Sequence, residues 1–377
     1  MHLLDIPTPA ALVDEARMTR NIARMQQCMT ALGVRFRPHV KTSKCVEVAR
    51  RQQAAGAAGI TVSTLQEAEQ FFAAGFTDIL YAVCIPPGKL DRVLALRRQG
   101  CALTILVDAM SAAQAIIDKG RAEGHAFEVM IEVDTDGHRS GVKPDAPELI
   151  EIGRVLGQGG ASLKGVMTHA GSSYDLDTPD ALRRFAEQER GGCVQAAERL
   201  RAAGLPCAEV SVGSTPTALS AAKLDGVTEV RAGVYVFFDL VMANVGVCAP
   251  ADIALSVLTT VIGHQAEKGW AIVDAGWMAM SRDRGTQRQK VDYGYGAVCD
   301  VDCNTIEGFV VAAANQEHGI LSSRDGSIDT DIVERFPIGT LLRILPNHAC
   351  ATAAQFPAYH VVDPRGTVQT WERFYGW

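Results

Sequence analysis

Residues 34–231 alternate between short apolar runs and longer stretches in which apolar side chains recur every three or four residues. Short apolar or alternating runs favour strands, and the longer spacing favours amphipathic helices. The pattern predicts eight strands, most of them separated by helices, at 34–41, 59–63, 78–83, 102–107, 127–133, 163–168, 209–212 and 228–231. Repeated strand–helix units of this kind are typical of a closed (β/α)8 barrel.

Local start signals support the predicted helices. Thr64 with Glu67, and Ser111 with Gln114, match the capping box that begins many helices. An open doubly wound sheet is the competing architecture, but it requires a G-x-G-x-x-G turn after its first strand. The sequence has no such turn there, so we predict the barrel.

Beyond about residue 245 the strand–helix rhythm ends. The segment 252–377 contains β-rich runs separated by Gly, Asn, Asp and Pro turns, which predicts a mostly antiparallel β domain. We expect a barrel over 14–248 and a β domain over 249–377, to which the N-terminal segment 1–13 belongs. The predicted fold class is therefore α/β, with an N-terminal (β/α)8 barrel and a C-terminal antiparallel β domain.

Composition narrows the functional classes. Of the 377 residues, 47% are hydrophobic and 21% are charged, as in globular chains with a sizeable core. A net charge of −7 without any basic run argues against nucleic acid as a partner, and no apolar run is long enough to span a bilayer. The N-terminus lacks a basic and apolar leader, and the ten cysteines are scattered without paired spacing. We therefore expect a cytoplasmic protein with reduced thiols.

The octapeptide 37–44, Arg-Pro-His-Val-Lys-Thr-Ser-Lys, lies where the first predicted strand passes into a loop. Chemistry in barrels collects at this end of the strands. Lys41, held there partly out of water, could serve as an imine-forming amine, while an ordinary surface lysine is the alternative. His39 and His169 also end predicted strands on this face, and a structural hydrogen-bonding role is an equal alternative for both.

Two loops after the last two predicted strands have the composition of a phosphate site. One contains Ser214 and Thr215 in Gly-Ser-Thr-Pro-Thr, and the other contains Gly233 and Val234 in Arg-Ala-Gly-Val-Tyr. Small residues let backbone N–H groups approach phosphate oxygens, and barrels often build phosphate sites from these two loops. Together with Lys41, the loops predict a phosphorylated aldehyde, pyridoxal 5'-phosphate, as cofactor.

The segment 346–350, Pro-Asn-His-Ala-Cys, is the candidate metal site. If it is a strand, His348 and Cys350 point to the same face and can bind one ion. Imidazole with thiolate favours Zn²⁺ over harder ions, and a metal-free His/Cys pair is the alternative. Cys299 and Cys303 are expected to be thiols that flank a turn.

Six motifs spread over essentially the whole chain resemble the fold-type III pyridoxal-phosphate enzymes, and within them the D-serine dehydratase and D-threonine aldolase group. The motifs are R-P-H-V-K at 37–41, T-H-A-G-S-S-Y at 168–174, V-G-S-T-P-T at 212–217, R-A-G-V-Y-V-F-F-D at 231–239, A-N-Q-E-H-G at 314–319 and P-N-H-A-C at 346–350. The resemblance implies an alanine-racemase-type barrel in which Lys41 forms the imine with the cofactor. It implies that His348 and Cys350 bind the catalytic metal, and that the cofactor lies near Tyr174, Thr215, Gly233, Val234 and, with loop packing as an equal alternative, Arg139.

The resemblance also implies the reaction. The aldolases of this group place an aspartate two residues after the metal-binding histidine, whereas this chain has Cys350, which favours a dehydratase. A divalent metal, with Zn²⁺ expected ahead of Mn²⁺, Co²⁺, Ni²⁺ or Mg²⁺, would bind the β-hydroxyl of a D-amino acid while Lys41 removes the α-proton. The expected reaction converts D-threo-3-hydroxyaspartate into oxaloacetate and ammonia.

Other functions stay open at this point. They are a D-serine dehydratase that yields pyruvate and ammonia, a D-threonine or 3-hydroxy-D-aspartate aldolase, and an amino-acid racemase of the same two-domain plan. A non-enzymatic pyridoxal-phosphate carrier resembles the barrel alone and should lack the β domain with His348 and Cys350. A homodimer is kept open as the assembly.

Overall fold

The computed structural model describes residues 2–377, which form two compact units. The barrel unit consists of Ala23–Gly233 with Phe374–Trp377, and the β unit consists of residues 2–22 with Val234–Arg373. The domain limits expected from the sequence, 14–248 and 249–377, stay a prediction.

The strands of the described residues are short in the first half of the chain and longer in the second. They are β1 (Ala10–Asp14), β2 (Arg35–Pro38), β3 (Ile60–Val62), β4 (Asp78–Cys84), β5 (Ala102–Val107), β6 (Glu128–Glu132), β7 (Ser162–Met167), β8 (Glu209–Val212), β9 (Glu229–Ala232), β10 (Leu255–Gln265), β11 (Trp270–Val273), β12 (Gly296–Cys299), β13 (Thr305–Ala314), β14 (Gly319–Ser323), β15 (Leu341–Pro346), β16 (Ala358–Val362) and β17 (Val368–Glu372).

The longer α-helices lie in the first half of the chain, between the barrel strands. The helices are α1 (Glu15–Ala31), α2 (Val46–Ala54), α3 (Leu65–Ala73), α4 (Leu90–Arg98), α5 (Met110–Glu123), α6 (Pro147–Gly159), α7 (Pro179–Ala202), α8 (Thr215–Ser220), α9 (Leu240–Val245), α10 (Trp277–Met280), α11 (Ile332–Arg335) and α12 (Ala349–Ala353). In the part of the chain that the structure describes, no helix has the length and apolar character needed to cross a membrane.

Eight parallel strands of the barrel unit form one sheet in the order β2-β9-β8-β7-β6-β5-β4-β3. The two ends of this order meet through a parallel bridge between His39 and Thr61, beside a hydrogen bond from the Val40 N–H to the Thr61 carbonyl at 2.9 Å. The interior is filled by apolar side chains from neighbouring strands, including the buried cluster Leu80, Ala82, Leu106, Met130 and Met167. The predicted (β/α)8 barrel is therefore confirmed.

The β unit contains a nine-stranded sheet in the order β11-β14-β13-β12-β15-β10-β1-β16-β17. All its pairings are antiparallel except that of β1 with β16. One face packs around the buried residues Ile6, Ala10, Leu12, Leu258 and Val368. The predicted antiparallel β domain is confirmed, and the third-from-last position of its sheet is filled by β1, which precedes the barrel strands in sequence.

Of the two predicted capping boxes, one caps its helix and the other is wrong. The Thr64 hydroxyl accepts a hydrogen bond from the Glu67 N–H at 3.0 Å at the start of α3. Helix α5 begins at Met110, so Ser111 lies inside its first turn. The N-cap is Ala109, whose methyl side chain offers no acceptor, because the helix begins earlier than a capping box at Ser111 and Gln114 would require.

The amino-terminal end of the barrel is closed by charged side chains. Arg37, which is buried, donates from Nε to Glu229 Oε2 at 2.8 Å and from Nη1 to Asp78 Oδ1 at 2.8 Å. A cavity of about 280 Å³ lies among these residues and includes Arg35 and Glu209, which also pair. Residues at the amino-terminal end of a barrel contribute to its stability, whereas active sites lie at the carboxyl end. The candidate site lies at that carboxyl end.

Candidate functional site

The barrel unit places the predicted cofactor residues beyond the carboxyl ends of its strands. Lys41 follows β2, Arg139 follows β6, Tyr174 follows β7 and Gly233 follows β9, while Ser214 and Thr215 both follow β8. Val234 follows Gly233 in the chain and begins the β unit. Because parallel strands bring their carboxyl ends to one edge, these distant positions share one face of the barrel.

The backbone around Lys41 is tied to both neighbouring strands. The His39 N–H donates to the Ala232 carbonyl at 2.8 Å, and the Val40 N–H donates to the Thr61 carbonyl at 2.9 Å. The Lys41 N–H lies 3.4 Å from His39 Nδ1. Lys41 is half-buried rather than exposed, and this matches an amine at a site better than an ordinary surface lysine.

Two imidazoles near Lys41 are held in the neutral form. Loss of surrounding water and the positive charge of Lys41 lower the pKa of His169 to about 3, and the same two causes place the pKa of His39 well below its ordinary value. His169 Nδ1 lies 3.1 Å from the Gly213 carbonyl, so the ring donates there and keeps Nε2 as an acceptor. The Tyr174 ring centroid is 6.4 Å from that of His169.

The loops after β8 and β9 have the small and hydroxyl side chains that a phosphate site needs. A Cβ on Gly233 would lie 3.0 Å from the His39 carbonyl oxygen, so the absence of a side chain lets the loop after β9 pack closely against the residues that follow β2. Ser214 caps α8 by accepting from the Thr217 N–H, and its hydroxyl also lies 2.8 Å from that of Ser173. The close-packed glycine and the hydroxyl-rich turn are compatible with a phosphorylated cofactor, and the phosphate site stays a prediction.

Arg139 is half-exposed and is paired with a buried carboxylate. Its Nη2 lies 3.4 Å from Glu132 Oε1, and the Cys84 thiol donates to the other Glu132 oxygen at 3.0 Å. With Asp108, Cys84 and Glu132 form a group whose ligand-type atoms all lie within 4.8 Å of one another. Burial, Glu132 and Asp108 raise the pKa of the Cys84 thiol, which therefore stays protonated near neutral pH.

The β unit contains the candidate metal residues, but they do not lie on a strand as the sequence suggested. Strand β15 ends at Pro346; His348 is the N-cap of α12 and Cys350 lies in its first turn. The chain leaves the sheet because Asn347 Nδ2 donates to the Gly294 carbonyl at 2.7 Å. Asp239 Oδ2 then accepts from the Ala349 N–H at 2.9 Å, which starts the helix.

His348 and Cys350 remain close despite the different backbone. Burial lowers the pKa of His348, but the Cys350 sulfur and a hydrogen bond to Asp283 outweigh it and raise this pKa well above its ordinary value. His348 Nδ1 lies 2.6 Å from Asp283 Oδ2, which leaves Nε2 for an ion. A half-exposed imidazole, oriented by a carboxylate and next to a thiol, is a donor set that fits Zn²⁺ or a similar divalent metal.

The sequence alone did not predict the residues that support the candidate metal pair and the candidate cofactor residues. Asp283 and Asp239 are 65 and 110 residues from the groups they hold, so no local spacing could reveal them. Arg231, fully buried, donates from Nε to Ser211 Oγ at 2.8 Å and was visible as a charged residue inside an apolar strand pattern. Glu189 gave a different signal, because it is a carboxylate at helical spacing from the buried residues Ala186 and Cys193 of α7.

Comparisons with known proteins agree with this two-part arrangement. The family profile for the N-terminal domain of alanine racemase matches residues 13–241, and a profile for a serine dehydratase domain matches residues 254–362. The chain is 70% identical over 376 residues to the D-threo-3-hydroxyaspartate dehydratase of Delftia sp. (strain HT23), covering 100% of this chain and 99% of that protein. It is 30% identical to the D-serine dehydratase of Dictyostelium discoideum, over 95% of this chain and 94% of that one.

Solved structures show the same similarity. The Delftia dehydratase superposes with a TM-score of 0.99 at 69% identity over 100% of both chains. Two variants of that dehydratase, substituted at a histidine and at a cysteine two positions apart, superpose equally well, and the cysteine variant is a metal-free form. The D-threonine aldolase of Filomicrobium marinum superposes with a TM-score of 0.82 at 26% identity, over 98% of this chain and 96% of that one.

Proposed function

The chain belongs to the family of enzymes that join an alanine-racemase-type barrel to a serine dehydratase domain, and from this premise we propose that it dehydrates a D-β-hydroxy amino acid. The observation that carries the proposal is the 70% identity, over the whole chain, to a D-threo-3-hydroxyaspartate dehydratase. We take D-threo-3-hydroxyaspartate as the substrate, with oxaloacetate and ammonia as products.

The residues of the barrel face have complementary roles in this proposal. Lys41 would hold pyridoxal phosphate, and its side-chain amine would accept the proton from the substrate Cα. Ser214, Thr215 and Gly233 supply the phosphate-binding turn, with Val234 next in the chain. Tyr174 and Arg139 border the cofactor. The neutral His169 adds no competing positive charge, which suits a lysine that must act as a base.

His348 and Cys350 are proposed to hold the divalent metal, for which Zn²⁺ is the first choice. When bound, pyridoxal phosphate supplies the electron sink for the carbanion at Cα, and the metal supplies a Lewis acid for the departing hydroxyl. Asp283 holds Nδ1 of the His348 ring, which leaves Nε2 as the nitrogen that would bind the ion. The metal-free state of the cysteine variant of the Delftia enzyme supports this assignment, because its two substituted positions have the spacing of His348 and Cys350.

A D-serine dehydratase is the second candidate, favoured by the 30% identity to the Dictyostelium enzyme. The aldolase reading is less favoured because Cys350 replaces the aspartate of the related aldolases. A cytoplasmic location and a homodimer stay predictions from the sequence.

Product analysis tests the proposal. The purified protein is incubated with D-threo-3-hydroxyaspartate, D-serine and D-threonine, and oxaloacetate, pyruvate, ammonia and glycine are measured. We expect oxaloacetate and ammonia in equal amounts from the first substrate, with little glycine. Borohydride reduction should fix the pyridoxyl group on the peptide that contains Lys41. Glycine as the main product would establish an aldolase instead, and label on another lysine would contradict the proposed site.

A further inference from the structure

Glu189 is a buried carboxyl group for which the proposed reaction has no direct use. It lies in the middle of α7, a long helix on the outside of the barrel, and is only 3% exposed. An isolated buried carboxylate is costly unless several donors satisfy it. The groups that Glu189 binds therefore indicate what it is for.

The donors to Glu189 come from two loops of the candidate site. The Gly213 N–H donates to Glu189 Oε1 at 2.8 Å. The Thr217 hydroxyl and the Ala170 N–H also face this carboxyl group, where both favour its charged form. Gly213 and Thr217 lie at the two ends of the turn after β8, and Ala170 lies after β7. One carboxyl group therefore contacts both loops.

The backbone at Gly213 needs this support. Its φ of +134° is in the region that favours glycine, and a Cβ there would lie 2.1 Å from the Arg231 carbonyl oxygen. The Gly213 carbonyl is held from the opposite side by His169 at 3.1 Å. Gly213, which begins the turn, is therefore fixed at both its N–H and its carbonyl, and Ser214 follows directly.

We infer that Glu189 is a positioning residue that shapes the turn 213–217 for the phosphate group of the cofactor. This inference rests on the proposed function, since it assigns that turn to pyridoxal phosphate. Glu189 acts through the Gly213 N–H, the Thr217 hydroxyl and the Ala170 N–H, all of which are donors. Above the pKa of about 7 that burial gives this group, Glu189 is an ionised carboxylate and has no proton of its own to oppose these donors.

Glutamine in place of Glu189 has nearly the same shape but only one acceptor oxygen. Its NH₂ group would face an N–H or a hydroxyl, and at least one donor of the turn would lose its partner. The turn would then adopt other conformations, and binding would weaken for ligands that have a phosphate. A ligand that lacks the phosphate does not use the turn and should be little affected.

The test compares two ligands that differ only in the phosphate. The cofactor is removed from the purified full-length protein, and dissociation constants for pyridoxal phosphate and for pyridoxal are measured by absorbance titration at pH 8. We expect Glu189→Gln and Glu189→Ala to weaken pyridoxal phosphate binding about 10- to 100-fold, while pyridoxal binding changes by less than about threefold. Glu187→Gln is the matched control, because Glu187 lies on the same helix, is half-exposed and pairs with Arg190. It should leave both constants unchanged.

The outcomes separate the inference from the function on which it rests. If the unmodified protein binds no pyridoxal phosphate, the proposed function fails. If it binds the cofactor but the Glu189 variants keep the normal ratio of the two constants, the inference alone is wrong. Equal weakening of both ligands also overturns it, because that result indicates a general structural role. Circular dichroism checks each variant, and Glu189→Asp, which keeps the charge but shortens the reach, replaces any variant that does not fold.

Discussion

At the scale of single residues, the candidate metal pair, His348 and Cys350, depends on how neighbouring side chains orient it. His348 and Cys350 lie on the first turn of α12 rather than on a strand, and Asp283 fixes the imidazole. The thiol supplies the soft ligand that distinguishes this pair from a carboxylate site. Removal of the sulfur should therefore affect the metal without affecting the barrel.

We predict that Cys350→Ala loses its bound divalent metal, because a lone imidazole holds an ion weakly. Ammonia release should fall by at least about 100-fold, since the departing hydroxyl loses its Lewis acid. Metal analysis by mass spectrometry and the ammonia assay measure the two effects. Cys28→Ala, a half-buried thiol on α1, should keep both metal and activity. An active, metal-free Cys350→Ala enzyme would remove the basis for the proposed role.

Asp283→Asn should weaken the metal site without abolishing it. The amide still offers an oxygen to His348 Nδ1, but the loss of the negative charge lowers the basicity of the imidazole and loosens its orientation. We expect metal affinity to fall about 10- to 100-fold, as measured by competition with a chelator. Asp325→Asn, on an exposed loop, is the control and should retain the affinity of the unmodified protein. An unchanged affinity in Asp283→Asn would show that this carboxylate does not support the site.

At the scale of elements, the two ends of the barrel have different roles, one in the candidate site and the other in stability. The carboxyl ends of the strands carry the lysine, the imidazoles and the turn 213–217, which we propose binds phosphate. The amino ends are closed by the buried Arg37 with Glu229 and Asp78. Glu229 is 5% exposed at its side chain, so its charge depends on Arg37 for compensation.

We predict that Arg37→Met lowers the free energy of unfolding by about 3 kcal/mol, because it leaves a buried carboxylate unpaired. Arg35→Met is the matched control: Arg35 is on the same strand, but its pair with Glu209 is about half-exposed. Its loss should cost less than about 1 kcal/mol. Urea unfolding followed by circular dichroism measures both values. Equal values for the two variants would contradict the distinction between buried and exposed pairs.

At the scale of the whole molecule, Glu189 makes stability depend on pH. Burial raises its pKa from about 4.5 to about 7, although the hydrogen bonds from Thr217 and Gly213 oppose the change. The other titratable side chains facing it are Arg231, which stays charged, and Cys193, whose pKa is raised by burial so that it stays neutral. Glu189 therefore dominates titration in this part of the barrel unit.

Between pH 4.5 and 7 the folded state holds a proton at Glu189 that the unfolded chain has released. The free energy of unfolding should therefore fall as pH rises through this window, by at most about 1.4 kcal/mol per pH unit. Below pH 4.5 both states are protonated and the effect vanishes. Urea unfolding at several pH values gives the free energies of unfolding of the unmodified protein and of Glu189→Gln. If the value for the unmodified protein minus the value for Glu189→Gln stays constant or grows as pH rises, the raised pKa is contradicted.

The sequence predicted what depends on neighbours along the chain. Each barrel strand and its following helix are short periodic segments, and Lys41 and Gly233 could be placed at strand ends from that pattern alone. What it could not predict depends on distant groups. The segment at His348 has strand-like composition, but Asn347 and Asp239 bind elements far away in sequence and turn it into a helix start. Asp283 and Glu189 likewise owe their roles to partners brought together only by folding.

Strand β1 has a consequence for the way the chain is made. Leu12 pairs with Ser256 on one side and with His360 on the other, so β1 cannot complete its pairing until the chain has been synthesised as far as His360. Until then Leu12 and Val13, which are fully buried in the folded protein, lack the sheet that covers them. Deletion of residues 10–14 would therefore remove a strand from the middle of a sheet rather than from its edge.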